Sequence, residues 1–342
     1  MACVTAPTWV TGETSDDSTR NRSPSPALAA FASHSPTAAP DMAPMSPLRA
    51  LVAMTRPSQV LLVWIVYTAG VLLALSRPGT TADAPTVAVV ALLITGAAMA
   101  AHLVNEAEDA ATDRLTERTR FSGGSGALQA SRLKPAVPLW LGLGLAALVA
   151  ASAWIAWLLL PLPTTAVTLV LAGLVGALIY SLPPVSAMRH GWGEPLNAVL
   201  GGLLLPLAGV AVIAGGVDLA DVLAFLPFSL VVLASVMATA GPDRSAAAAT
   251  GKATMQVRLR PVTLRRIHLA VSVGFVLAAV AAAIADAAPL ALAGLLVVPA
   301  LVIGTLGYTR RESPWPNVVA MVSLALVLVV AHGLSLPEGP WS

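Results

Sequence analysis

The second long apolar stretch of this 342-residue chain ends in AHLVNEAEDAATDRL, which sets Asn105, Asp109 and Asp113 four residues apart. On a helix each step of four turns a side chain by only ~40°, so the three point broadly one way over ~12 Å. An amide oxygen and two carboxylates are ligands for a hard cation. Mg²⁺ takes one or two such carboxylates and fills its shell with water and phosphate oxygens. Glu106 and Glu108 stand beside the stripe and deepen its negative field. The plainer reading is a solvated helix end, with Asp113 and Arg114, and Glu117 and Arg118, as surface pairs. Against it weighs the crowding of acids where an apolar span stops, because carboxylates near a bilayer are costly.

A second cluster, GPDRSAAAATGKATMQVRLRP, offers Asp243 as a further ligand and Lys252 and Arg258 as counter-charges for an anion. Gly251 beside Lys252 permits close backbone approach. Alone this is an ordinary basic loop; it gains weight when paired with the first cluster across one membrane face. Between the two lies FSGGSGAL, Phe121 to Leu128, where Gly123 and Gly124 flanked by Ser122 and Ser125 suit an oxyanion nest or a flexible connection. In YSLPPVSAMRHGWGEPLN, Arg189 and Glu194 are the full charges, and Tyr180 suits an interface anchor as well as a site residue. His34, His102, His268 and His332 do not converge. No His/Cys metal spacing, phosphate loop, catalytic triad or nucleic-acid motif is present.

The elements that must position these groups follow from composition. Hydrophobic residues make up 57% of the chain and charged ones 11%, and mean hydropathy is +0.81. A soluble domain is about a quarter charged, so this chain cannot coat a water-soluble globule. Its 26 Gly have no three-residue period and Cys3 is its single cysteine, which excludes collagen and a disulfide scaffold. Ala, Leu and Val dominate without strand-like alternation, so the expectation is an all-α polytopic membrane protein. Residues 1–46 are rich in Ser, Thr and Pro and read as a disordered tail before a membrane domain over 47–342. That tail lacks a signal peptide's apolar core, and Met42 and Met45 allow a later start.

Stretches near the ~20 residues needed to cross a ~30 Å hydrocarbon layer recur nine times. They run over Ser58 to Ser76, Pro85 to Val104, Val137 to Leu160, Thr164 to Leu182 and Pro195 to Gly215. The rest are Leu219 to Ala240, Ile267 to Asp286, Pro289 to Tyr308 and Asn317 to His332. With nine spans, every one of the 19 Lys and Arg residues except Arg77 falls on one side, together with the amino terminus. The positive-inside rule makes that side cytoplasmic. A different span count scrambles the sorting, so the asymmetry supports the count and the orientation together. Only Lys134 and Lys252 are lysine, an Arg and Ala bias in keeping with a GC-rich bacterial genome and hence a bacterial plasma membrane.

The ordered set of motifs resembles the UbiA-type intramembrane prenyltransferase superfamily over roughly residues 50 to 335. The family's first motif, NDxxDxxxD, is matched by NEAEDAATD at Asn105, Glu106, Asp109 and Asp113. Its second, DxxxDxxxGKxT, is matched at Asp243, Gly251, Lys252 and Thr254. RTRFSGGSGAL and YSLPPVSAMRHGWGE are similar to the segments that follow the first motif and join the fourth and fifth helices. One departure stands at Ala247, where the second motif's second aspartate is due. The corresponding metal position is then weakened, filled from Glu106 or Glu108, or absent.

The resemblance implies transfer of an isoprenyl group from an allylic prenyl diphosphate to a lipophilic acceptor such as an aromatic or quinone precursor. Mg²⁺ would be held by Asn105, Asp109, Asp113 and Asp243. Asp109, Asp113, Asp243, Lys252 and Arg258 would stabilise the departing diphosphate, and Asn105, Arg120, Ser122, Tyr180, Arg189 and Lys252 would bind substrate. The partners implied are those two substrates and the lipid bilayer, with no nucleic acid. The alternative is a terpene cyclase of the same superfamily, which ionises the diphosphate without an acceptor. A transporter is a distant third, since it calls for acids buried mid-span and inverted repeats.

Overall fold

The computed structural model describes residues 44–285, 289–311 and 313–337. Apart from residues 44–46, the tail expected over 1–46 lies outside the described residues, as do Cys3 and His34. The described chain is helical, with no β-strand among its elements. Eight helical segments are long and apolar enough to cross a membrane.

A short helix, α1 (Pro47–Met54), is capped by the Ser46 side chain, which accepts from the Arg49 N–H. Chain direction changes at Arg56, whose φ of 51° lies in the left-handed region, and Pro57 then opens α2 (Pro57–Leu75). Next comes α3 (Ala84–Asp113), started by the Asp83 side chain accepting from the Thr86 N–H at 3.0 Å. Its 30 residues extend about 45 Å, longer than the hydrocarbon layer, so the acidic turns belong to the same rod as the apolar ones. A five-residue turn of helix, α4 (Ala127–Ser131), leads to α5 (Ala136–Leu159) and α6 (Thr164–Ser181).

The fifth span is compound. It joins α7 (Gly193–Val199), a π-helical turn (Leu200–Leu204) and α8 (Leu205–Ala214). Pro206 lacks an N–H and disturbs the ladder one turn before it, which accounts for the wider turn there. A capping box between Asp218 and Asp221 starts α9 (Leu219–Thr239). Two short helices, α10 (Arg244–Ala249) and α11 (Met255–Arg258), precede α12 (Pro261–Ile284). A 3₁₀ stretch (Pro289–Val297) runs into α13 (Val298–Gly307), and α14 (Trp315–Gly333) is last.

Two differences from the sequence expectation have physical causes. The seventh span begins at Pro261 rather than Ile267, because Pro at the first helical position starts the helix ahead of its apolar part. The eighth, expected as one helix over Pro289 to Tyr308, is a 3₁₀ stretch followed by a ten-residue α-helix. Pro299 allows an α-helix to start beside it but not to run through it.

Two apolar cores lie side by side and share α2. One face of α2 (Val66, Ala69, Leu73) packs with Phe225, Phe228, Phe275 and Leu324. Its other face (Tyr67, Val71, Leu75) packs with Val90, Ile94, Val149 and Val170. A Cβ at Gly70 would overlap the Pro206 carbonyl, so α2 and α8 touch backbone to backbone, as small residues permit inside a bilayer. Large apolar side chains such as Trp140, Trp154, Leu159, Leu277 and Ile284 face outward. An exposed surface of that kind suits lipid rather than water.

Arg77, the one basic residue on the far side, pairs with the buried Asp221. Arg77→Ala should lower stability by about 1–2 kcal/mol, the smaller end for a buried pair because Arg77 is partly solvated. The check is the thermal midpoint in detergent, with Arg132→Ala, at an exposed position, as the variant that should not move it.

Candidate active site

The long α3 carries the acidic stripe beyond the apolar bundle, and the loop between α9 and α12 folds onto it. Three hydrogen bonds fasten the loops at this end of the bundle together. Thr112 and Thr250 hydroxyls meet at 3.0 Å. The Arg189 guanidinium donates to the Glu108 carbonyl at 3.0 Å, and the Ala253 N–H donates to the Arg189 carbonyl at 2.8 Å. Segments more than a hundred residues apart in sequence thereby form one surface.

At its centre the Lys252 ammonium donates to Asp109 Oδ1 at 2.5 Å, while Asn105 Nδ2 donates to Asp109 Oδ2 at 2.8 Å. Lys252 is 6% exposed, so its charge is answered almost wholly by this carboxylate. Its N–H is held by the Ala247 carbonyl at 2.9 Å, and Gly251 before it adopts a φ of 74°. Asp243 sits immediately before α10, where the nearby Thr116 hydroxyl and Gly123 N–H favour its charged form. Burial, and then the nearby negative charge of Asp109, push its carboxyl up to about 6. Asp113 lies within electrostatic reach of Asp109, Glu106 and Lys252.

The glycine-rich loop forms a nest, and the anion it cradles is the protein's own. The Ser125 N–H donates to Glu106 Oε1 at 2.8 Å and its hydroxyl to Oε2 at 2.9 Å. Arg56 adds Nη2 at 2.8 Å and Nε at 3.2 Å to Oε1. Glu106, 1% exposed, is thus held on both oxygens, Oε1 by Arg56 and the Ser125 N–H and Oε2 by the Ser125 hydroxyl. Of the two acids weighed as substitutes at the Ala247 position, Glu108 alone is without a side-chain hydrogen bond or ion pair among the described residues. Arg56 and Ser125 are functional supports that the sequence did not single out for Glu106. The one available signal for Arg56 was an arginine directly before the proline that opens a span.

Gly124, with φ 62°, lies against Asp113, and a Cβ there would overlap the Asp113 carboxylate. Gly124→Ala is therefore strained twice, by backbone and by contact. It should lower turnover about tenfold to 100-fold through displacement of Asp113, read as kcat with the thermal midpoint as control.

The remaining expected site residues divide. Tyr180 lies within electrostatic reach of Asp109, next to the cluster and beside the Asn197 side chain. Arg189 braces the backbone of α3, as described. Ser122 is buried, with its hydroxyl 2.7 Å from Thr119 Oγ1, and supports the loop from within. Arg258 is directed elsewhere: it donates to the His190 carbonyl at 2.7 Å and packs over Gly191. Arg120 is exposed and stacks over the Trp315 ring at 5.0 Å. Neither is brought to the carboxylates, because each finds a nearer backbone or aromatic partner.

The donor set suits a hard divalent cation, being made of carboxylate and amide oxygens alone. Asp243 Oδ1 is buried without a hydrogen-bond partner, an arrangement that is costly unless something positive completes it. Lys252 already supplies positive charge to Asp109. Among the described residues no three His, Cys, Asp or Glu side chains stand close enough to close a coordination shell by themselves.

Known proteins place this architecture. A family model described as the UbiA prenyltransferase family matches residues 62–316. A UbiA homolog from Archaeoglobus fulgidus bound to GPP and Mg²⁺ superposes with a TM-score of 0.62 at 16% identity, covering 84% of this chain and 99% of that one. The apo structure of a UbiA homolog from Aeropyrum pernix K1 gives 0.61 at 18% identity, over 82% and 99% of the two chains. A digeranylgeranylglyceryl phosphate synthase gives 0.55 at 12%, over 84% and 98%. Among curated protein sequences none matches. The structural neighbours are too distant to carry more than the fold, but the family model spans most of the sequence, and the chain belongs to the UbiA prenyltransferase family.

Proposed function

We propose that this protein transfers an isoprenyl group from an allylic prenyl diphosphate to a lipophilic acceptor, an aromatic or quinone precursor, within the membrane. The observation that carries the reading is the meeting of Asp109 on α3 with Lys252 and Asp243 of the α9–α12 loop at the end of an apolar bundle. Homologs of the same fold bound to GPP and Mg²⁺, and to DMAPP and Mg²⁺, support it. Asn105, Asp109, Asp113 and Asp243 would hold Mg²⁺, which when bound neutralises the charge that builds on the departing diphosphate.

The chain's own residues do the rest. Lys252, fixed on Asp109, presents an ammonium that stabilises diphosphate oxygens as the carbon–oxygen bond breaks. Asn105 and Ser125 hold Asp109 and Glu106 in place, so the anionic stripe needs no rearrangement when substrate arrives. The apolar faces of α2, α3 and α9 keep water from the allylic cation until the acceptor attacks. By the arginine distribution, the site faces the cytoplasm of a bacterial plasma membrane.

The test uses purified full-length protein with Mg²⁺, a series of allylic diphosphates and a panel of aromatic and quinone-precursor acceptors. A prenylated acceptor is the expected product, and it should disappear with EDTA. A cyclised hydrocarbon formed without acceptor would assign the cyclase chemistry instead.

A further inference from the structure

Apart from the carboxylate cluster, a cavity of about 90 Å³ opens where the end of α9, the start of α12 and the α13–α14 connection meet. Arg244 and Arg311 line it, and neither has an ion-pair partner among the described residues. No Asp or Glu lines it among the described residues. Asn317 lines it too and is 1% exposed. Its Oδ1 faces His268 Nε2 at 3.1 Å. Thr309 contributes a buried hydroxyl without a partner, on a backbone held at φ 61°. A β-branched residue adopts that conformation only where its surroundings impose it.

Gln256 and Tyr308, which also line this cavity, are satisfied. Gln256 Nε2 donates to the Met237 carbonyl at 2.6 Å and to the Tyr308 hydroxyl at 2.5 Å. What is left open is a set of donors: two exposed guanidiniums and the buried Thr309 hydroxyl. Pro261 adds the first turn of α12, which has no side-chain cap. A cavity whose described lining offers donors and no carboxylate suits an anion, and forked guanidiniums favour phosphate. The tendency of arginines to collect on the cytoplasmic side explains exposed charge. It does not explain a strained threonine whose buried hydroxyl stands unpartnered beside that charge.

The cavity shares no lining residue with Asn105, Asp109, Asp113, Asp243 or Lys252. It lies at the ends of spans, beside the half-exposed Trp315 and the arginines of the α9–α12 loop. That is the level of lipid phosphates, and basic pockets between span ends on this side suit anionic headgroups. We propose that this cavity binds the phosphate group of an acidic phospholipid, such as phosphatidylglycerol, as a second anion site separate from the diphosphate site.

The test reads lipid binding, not turnover, so it stands apart from the catalytic reading. Full-length protein in neutral detergent is titrated with phosphatidylglycerol, phosphatidylcholine or inorganic phosphate, following the thermal midpoint and lipid adducts by native mass spectrometry. Phosphatidylglycerol should bind and raise the midpoint, and phosphatidylcholine should not. Arg244→Gln with Arg311→Gln should weaken that binding about tenfold or more. Thr309→Ala, a milder change, should weaken it in the same direction. Arg49→Gln with Lys134→Gln, which removes equal charge from exposed positions, should leave it unchanged. Equal weakening by both charge pairs, no preference for phosphatidylglycerol, or phosphate binding without lipid binding would each overturn the proposal.

Discussion

Asp109→Asn should lower kcat at least about 100-fold while leaving the fold assembled. The substitution keeps the side chain's shape but removes the charge on which both Lys252 and Asn105 converge. The loss of one preorganised electrostatic contact to developing charge is worth about 100- to 1,000-fold. Stability should fall as well, because Lys252 is buried and loses its counter-ion. The two effects separate in a double-mutant cycle. Lys252→Met added to Asp109→Asn removes the orphaned charge, so the thermal midpoint should recover in part while activity stays lost. Recovery of activity together with the midpoint would mean that Asp109 serves the fold and not the reaction.

Glu106→Ala should be the most destabilising single change at this end of the bundle. It leaves Arg56 without its carboxylate and the Ser125 N–H and hydroxyl without their acceptor, in a place where Glu106 is 1% exposed. Breaking a buried pair from one side costs about 3–5 kcal/mol. The thermal midpoint should drop accordingly. Protease sensitivity should rise first in the loop between α3 and α4, because the Ser125 bonds hold that segment to α3. Glu106→Gln keeps an oxygen for Ser125 and should lie between the two. A midpoint within experimental error of the parent would remove Glu106 from this supporting role.

Both predictions depend on contacts that the sequence made legible to different degrees. The stripe of Asn105, Asp109 and Asp113 was readable because helical spacing is local and acids are conspicuous where an apolar span ends. The spans were readable for the same reason, and Arg77 stood out by sorting alone. The bonding of Asp109 to Lys252, 143 residues away in sequence, followed in outline from placing both clusters on one face. The Arg56–Glu106 pair did not, because nothing local ties an arginine before the first span to a glutamate in the second. Arg258 and Arg120 were assigned by charge and motif, yet long side chains go to the nearest suitable partner: a carbonyl at His190 for one, the face of Trp315 for the other. The 3₁₀ start of the eighth span was hidden because an apolar run signals burial without fixing the helix type.

The central claim, that residues of α3 and the α9–α12 loop jointly grip a diphosphate through divalent cations, is tested most directly by calorimetry. The titrant is a non-hydrolysable geranyl thiodiphosphate, added to full-length protein with Mg²⁺ or with EDTA. Binding should appear only with Mg²⁺ and should be lost in both Asp109→Asn and Asp243→Asn, one from α3 and one from the α9–α12 loop. Equal binding in EDTA, or undiminished affinity in either variant, would contradict it.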